Sequence, residues 1–175
     1  DLIAFFNDCD AILKDDGVIS LAVPDKRFCF DHYRPVTGLS RVIDNHFYKA
    51  KLHPPGAIVE EKLNSVTKAE NIAWNSSTDG EYVFRCSQEE VAEGMAAAFG
   101  AEVYIDTHEW CFVPHSLRLI IHDLFSLGLI PFQEVAFHPS AGCEFFITLG
   151  RNGQGTDMSR LEMLEAIEAE ICNTE

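Results

Sequence analysis

The sequence predicts a mixed α/β fold, and three observations carry that expectation. Residues 2–14 set Leu2, Phe5, Phe6, Cys9, Ile12 and Leu13 at steps of three and four, the period of an amphipathic helix. A turn at Gly17 then leads into "GVISLAVP", a nearly continuous apolar run of the kind buried on both faces of a parallel sheet. Toward the other end, "LIPFQEVAFHP" and "CEFFITLG" read as two strands joined through Ser140-Ala141-Gly142 in a short hairpin.

The remaining elements follow from caps and breakers. Asp1 is a natural N-cap for the first helix, and Lys14-Asp15-Asp16-Gly17 is its stop. Residues 37–49 read as a second helix with Leu39, Val42, Ile43 and Phe47 on one face. Pro54-Pro55-Gly56 breaks structure, residues 57–66 read as helical and residues 76–80 as loop. Ser87-Gln88-Glu89-Glu90 is a capping box that opens a helix to Phe99, closed by Gly100. The strongest helix spans residues 114–127, with Pro114 at its first position, Gly128 at its end, and Leu117, Ile120, Ile121, Leu124 and Phe125 as its buried stripe. A last helix over residues 157–172 puts Leu161, Leu164, Ile167 or Glu168, and Ile171 on one stripe, as an appended, partner-packing element. Between it and the last strand, Gly150-Arg151-Asn152-Gly153-Gln154-Gly155 has GxxGxG rather than GxGxxG spacing and no strand after it, so it reads as a flexible linker.

The bulk properties narrow the class. A chain of 175 residues with 47% hydrophobic content can bury one sizeable core. No run approaches the ~18 apolar residues that span a bilayer, so no membrane span is expected. The net charge of −15 argues against phosphate-backbone binding, and no nucleic-acid partner is expected. Six cysteines without a CxxC or a regular framework read as reduced thiols in a cytoplasmic protein. The seven histidines are scattered, without HExxH or a Cys/His cluster, so no metal is expected. There is no GxSxG elbow for a serine nucleophile. The chain opens on Asp1 rather than Met and is expected to be part of something longer.

Two stretches concentrate chemistry. In "SLAVPDKRFCFDHYRP" an apolar strand breaks at Pro24 into charge and aromatics, at the carboxyl end where open α/β sheets bind ligands. One reading has Asp25, Lys26, Arg27, Tyr33 and Arg34 facing a substrate, with Lys26 or Arg34 attracting an anionic group. The other has Lys26 and Arg27 solvated and Phe28 and Phe30 in the core. In "DTHEWCFVPH", Asp106 can orient His108 as a general base toward an accepting hydroxyl or amine, with Trp110 as an apolar wall. The plainer reading bonds His108 to backbone where the helix begins and puts Trp110 in the core.

"DLIAFFNDCDAILKDDGVISLAVPD" resembles the segment of class I S-adenosylmethionine-dependent methyltransferases in which a helix ends in a "vLkpgG" turn before the fifth strand. Ile12-Leu13-Lys14-Asp15-Asp16-Gly17 matches that turn, with Asp16 in place of its first small residue. "HEWCFVPHSLRLIIHDLFSLGLIPFQEVAFHP" and "GCEFFITL" are similar to the same fold's final helix and its sixth and seventh strands. "PDKRFCFD" and "RP" together with "DTHEWCFVPHSL" look like a type 11-like bacterial subgroup found in polysaccharide-related gene contexts.

The resemblance covers residues 1–35 and 104–150. It implies the C-terminal half of a Rossmann-like sheet (strands 5, 6 and 7 with flanking helices), with an insert over about residues 36–103 that is helical in part. Residues 1–150 would then be a partial methyltransferase-like domain, and residues 151–175 a linker and C-terminal helix. The family's Gly-rich turn after its first strand and the acidic end of its second have no counterpart in this sequence.

S-adenosylmethionine is thus the cofactor the resemblance implies for the complete protein, while this chain alone should bind it weakly and be inactive. The resemblance implies that the chain supplies the side of the site that takes a small-molecule or glycan-like acceptor. The alternative is a non-catalytic methyltransferase-like module for interaction or homodimerisation, through the last helix and an uncovered sheet edge.

Overall fold

The computed structural model describes residues 1–99 and 104–172. In chain order it contains α1 (Leu2–Ile12), β1 (Val18–Pro24), α2 (Leu39–Phe47), α3 (Pro55–Asn64), β2 (Val66–Lys68) and β3 (Tyr82–Phe84). Then come α4 (Gln88–Ala98), α5 (Pro114–Ser126), β4 (Gln133–Ala141), β5 (Glu144–Gly150) and α6 (Arg160–Cys172). The fold is mixed α/β, as expected, with a small antiparallel sheet. No helix among the described residues is long and apolar enough to cross a membrane.

The sheet has the order β1-β5-β4. Both pairings are antiparallel, with Leu21 opposite Ile147 on one side of β5 and Phe137 opposite Ile147 on the other. β1 and β4 therefore run parallel to each other, with β5 between them. The β4–β5 reversal is tight at Gly142, whose φ of +70° suits glycine.

β1 corrects the expectation of a strand buried on both faces. Its burial alternates, with Ile19 inside and Val18 49% exposed, because helices cover only one face of the sheet. The core lies on that face. Ile3 and Phe6 of α1, Val42 of α2 and Leu117, Ile120, Ile121 and Leu124 of α5 pack with Phe145, Ile147 and Leu149 of β5. The other face carries Val18, Val135 and Phe146, all at least 40% exposed.

The local rules held at most helix ends. Asp1 accepts a hydrogen bond from Ala4 N at 3.0 Å, so it caps α1. Ser87 and Glu90 form the reciprocal capping box, with bonds of 3.2 and 2.7 Å. The proposed stop at Gly100 lies outside the described residues, as do residues 101–103 at the end of the expected insert. α5 begins at Pro114, and Ser116 Oγ satisfies Val113 N at 3.0 Å.

The helix faces were less legible. Phe5, Ile12 and Phe47 are exposed although the apolar period included them, and α1 turns inward Phe6, which the period included, and Ile3, which it did not. On α6 the buried residue is Met163, whereas Leu161 and Leu164 of the expected stripe are exposed. α6 packs back on α5. Glu170 takes His115 Nδ1 at 2.6 Å, and Arg160 donates to Asp123 at 3.2 Å.

The Gly150–Gly155 run is held down rather than loose. Gly155 N donates to Glu134 O at 3.0 Å, and Gly153 is buried so tightly that a Cβ there would lie 2.5 Å from Gln133 O. Arg151 reaches across to Asp10 at 2.6 Å and to Lys14 O at 2.8 Å.

Candidate functional site

Residues 24–37 are threaded between two segments that are far away in sequence. On one side Lys26 N donates to Phe112 O and Thr37 N to Cys111 O, each at 2.9 Å. On the other, Phe30 N donates to Ile72 O at 2.8 Å, Trp74 N to Phe28 O at 2.9 Å and Val66 N to Phe30 O at 3.0 Å. Asp25 caps a single 3-10 turn, Lys26–Phe28, by accepting from Arg27 N. An irregular segment this rich in backbone bonds holds its side chains in place, and it does so beyond the carboxyl end of β1.

A cavity of about 420 Å³ opens there. Val23, Trp110 and Phe112 supply apolar wall, and Lys26, Asp31, His53, Thr107, His108 and Glu109 the polar lining. Trp110 also packs partly against the core, the place the plainer reading gave it.

His108 is the best-placed titratable group. Its Nδ1 lies 2.8 Å from Asp31 Oδ2, and its ring packs on Phe30 with centroids 4.6 Å apart. Asp31 is 2% exposed and also accepts from Arg34 Nη1 at 2.9 Å. The hydrogen bond to Asp31 raises the His108 pKa above the ordinary imidazole value, against the opposing effect of burial. Burial pushes the Asp31 carboxyl up, but the bonds from His108 and Arg34 outweigh it and leave the pKa lowered. With Asp31 holding Nδ1, His108 Nε2 has no protein partner among the described residues. It is the nitrogen left to take or give a proton in the cavity.

Asp106 does not orient His108. It is exposed, and its bond is from the Tyr104 hydroxyl at 3.4 Å. The carboxylate on His108 Nδ1 is that of Asp31 instead. Asp25, Arg27 and Arg34 are structural rather than cavity-lining. Asp25 is fully buried and accepts from Arg27 Nε and Nη2 and from Ser140 Oγ. Arg34, 2% exposed, is consumed by Asp31 and Glu60. Tyr33 is half exposed and packs on His32 and Tyr82 away from the wall. Lys26 does line the cavity, but its Nζ donates to His32 O at 2.5 Å, and burial lowers its pKa.

Sequence reasoning missed Asp31, His53 and Glu109. His53 Nδ1 lies 2.8 Å from Glu109 Oε2, and Glu109 Oε1 accepts from Arg41 at 3.0 Å. The partners are 56 and 68 positions apart, so no local spacing announces them. Asp31 had a weak local signal in Arg34 three residues on, the spacing of an ion pair along a turn.

Two other kinds of chemistry are poorly served. Among the described residues no group of three or more His, Cys, Asp or Glu is arranged to hold a metal ion. Burial pushes the Cys29 thiol up to about 12 and that of Cys111 further, so neither wall cysteine presents a thiolate.

No protein-family model, curated protein or solved structure matches this chain.

Proposed function

We propose that this chain is the acceptor-binding part of a class I S-adenosylmethionine-dependent methyltransferase. The observation that carries the reading is the placement of the cavity. It lies beyond the carboxyl end of β1 and bears on its wall an imidazole with one nitrogen held by a buried carboxylate. The strands support it as well. β1 and β4 are parallel and joined through α5, as strands linked by a helical crossover are, and β1 keeps a free outer edge among the described residues where further strands can add.

The donor, when bound, would supply a methyl group activated on a sulfonium centre. The described residues do not form its seat: the Gly-rich run packs Gly153 against the Gln133 carbonyl and leaves no cradle. The role left to these residues is to bind and orient the acceptor, exclude water with the Trp110 and Phe112 wall, and hold the acceptor's proton on His108 Nε2.

The test is transfer of an isotopically labelled methyl group by the protein as encoded in full, into a fractionated small-molecule extract that includes glycan precursors. Replacing His108→Asn should lower turnover by about 10²-fold, the usual general-base contribution, with donor affinity unchanged. Full activity in that variant removes the base, and no transfer by the wild type removes the reading.

A non-catalytic interaction module is the second reading. The free β1 edge, the exposed Val18, Val135 and Phe146 on the bare sheet face and Leu161 and Leu164 on α6 favour it. A monodisperse monomer at high concentration in light scattering removes it.

A further inference from the structure

His108 is one of two histidines on the cavity wall with the same support. His53 also lines it, with Nδ1 on the buried Glu109 carboxylate at 2.8 Å and Nε2 at 3.1 Å from the Tyr104 hydroxyl. Tyr104 lines the cavity too and is 58% exposed, so the Glu109–His53 pair holds a phenol at its mouth. That hydroxyl is shared with Asp106 at 3.4 Å, which gives Asp106 a place in this second arm after all.

The two arms are connected behind the wall by one chain of ion pairs. Asp31 binds Arg34 at 2.9 Å, Arg34 binds Glu60 at 3.2 Å, Glu60 meets Arg41 at 3.6 Å, and Arg41 binds Glu109 at 3.0 Å. A chain of this kind fixes both carboxylates, and therefore both imidazoles, in one frame.

We infer that the cavity recognises a small molecule with two hydrogen-bonding groups on a compact apolar body. One group would meet His108 Nε2 and the other the Tyr104 hydroxyl, and the molecule would be neutral or cationic rather than anionic.

The charge preference follows from what stands on the wall. Asp31 and Glu109 line it, while their arginines, Arg34 and Arg41, do not. The connected chain holds three carboxylates against two guanidiniums. The lining cation, Lys26, is buried with its ammonium directed to the His32 carbonyl. An anion entering the cavity therefore meets carboxylates, and among the described lining residues the one cation with a free donor is His108 when protonated, whose charge is already matched by Asp31. The sequence-based expectation that Lys26 or Arg34 draws in an anionic group is replaced by its opposite. The apolar side of the ligand has Val23, Trp110 and Phe112 to lie against.

The inference rests on the cavity proposed above but not on methyl transfer. Binding is read without a methyl donor, so failure of one is visible apart from failure of the other. Three probes share one body and one benzylic hydroxyl: 2-amino-1-phenylethanol, 1-phenyl-1,2-ethanediol and mandelate. Each is titrated into the 175-residue chain while the histidine ring Cε1–H signals are followed by NMR. The amino alcohol and the diol should shift both His53 and His108, and mandelate should bind at least tenfold more weakly. Tyr104→Phe, at an exposed position, removes only the hydroxyl and should weaken the diol at least threefold with an unchanged melting temperature. Mandelate binding as tightly as the amino alcohol overturns the inference. So do shifts confined to one ring, an unaltered diol affinity in Tyr104→Phe, or no binding by any probe.

Discussion

His108 Nδ1 lies 2.8 Å from Asp31 Oδ2, 77 positions away in the sequence, while Asp106, two residues from His108, points elsewhere. The pairing makes a pH-dependent contribution to stability whose sign can be worked out. His108 has a raised folded pKa, so its contribution is complete below the ordinary imidazole value and is lost as pH rises through the folded one. Asp31 has a lowered pKa, so its contribution is complete above the ordinary carboxylate value and is lost as pH falls through the folded one. The pair therefore stabilises most in the mildly acidic window between those two ordinary values. Chemical denaturation of wild type and His108→Asn should show a larger stability gap at pH 5 than at pH 8. An equal gap at both removes the ion pair.

Removing the carboxylate should also release its partner. In Asp31→Asn the His108 pKa should fall toward the ordinary imidazole value, because its largest raising cause is gone. An NMR titration of the His108 ring reads this directly, and an unshifted midpoint would assign the perturbation to some other group.

Asp25 anchors the strand end rather than the ligand. It is fully buried against Arg27 and Ser140, so Asp25→Asn leaves a partly buried guanidinium short of its counter-charge. A loss of about 3 kcal/mol is expected from denaturant midpoints. A near-neutral result would return Asp25 to the substrate-facing groups.

The two kinds of glycine constraint can be told apart by alanine substitution. Gly153→Ala would press a Cβ to 2.5 Å from Gln133 O and 2.7 Å from Glu134 O, both backbone atoms, and should cost about 2 kcal/mol. Gly128→Ala has open space but a φ of +70°, and about 1 kcal/mol of backbone strain is expected. Calorimetry on the two variants checks the order, and Gly128→Ala proving the worse would contradict the packed Gly153.

Cysteine labelling offers a map of the interior. Cys172 is exposed and should alkylate first at pH 8, while buried Cys29 and Cys111, with raised pKa values, should react only on unfolding. Mass spectrometry of a time course reads the order; early modification of Cys111 would place it at an accessible wall.

Much of the fold was legible because it is locally determined. Asp1, the Ser87–Glu90 box and Pro114 act within one helical turn, so three helix starts fall at or within a residue of where the pattern put them. Period-based faces failed where the sequence offered more apolar residues than the core could cover: Phe5, Ile12 and Leu161 fit the spacing yet stay outside. The unbroken apolar run of β1 could not distinguish a central strand from an edge strand, because that depends on which neighbours arrive.

By itself the sequence determined the mixed α/β class, the helix caps, the strand pair β4–β5 and the concentration of chemistry after Pro24. The tertiary structure alone decided what that chemistry does. It buried Asp25 and Arg34 as structural partners, exchanged Asp106 for Asp31 beside His108, and brought His53 and Glu109 to the same wall. The physical reason is range. A cap or a turn is settled by residues three or four positions apart, whereas a buried ion pair forms only where separate segments pack and exclude water together.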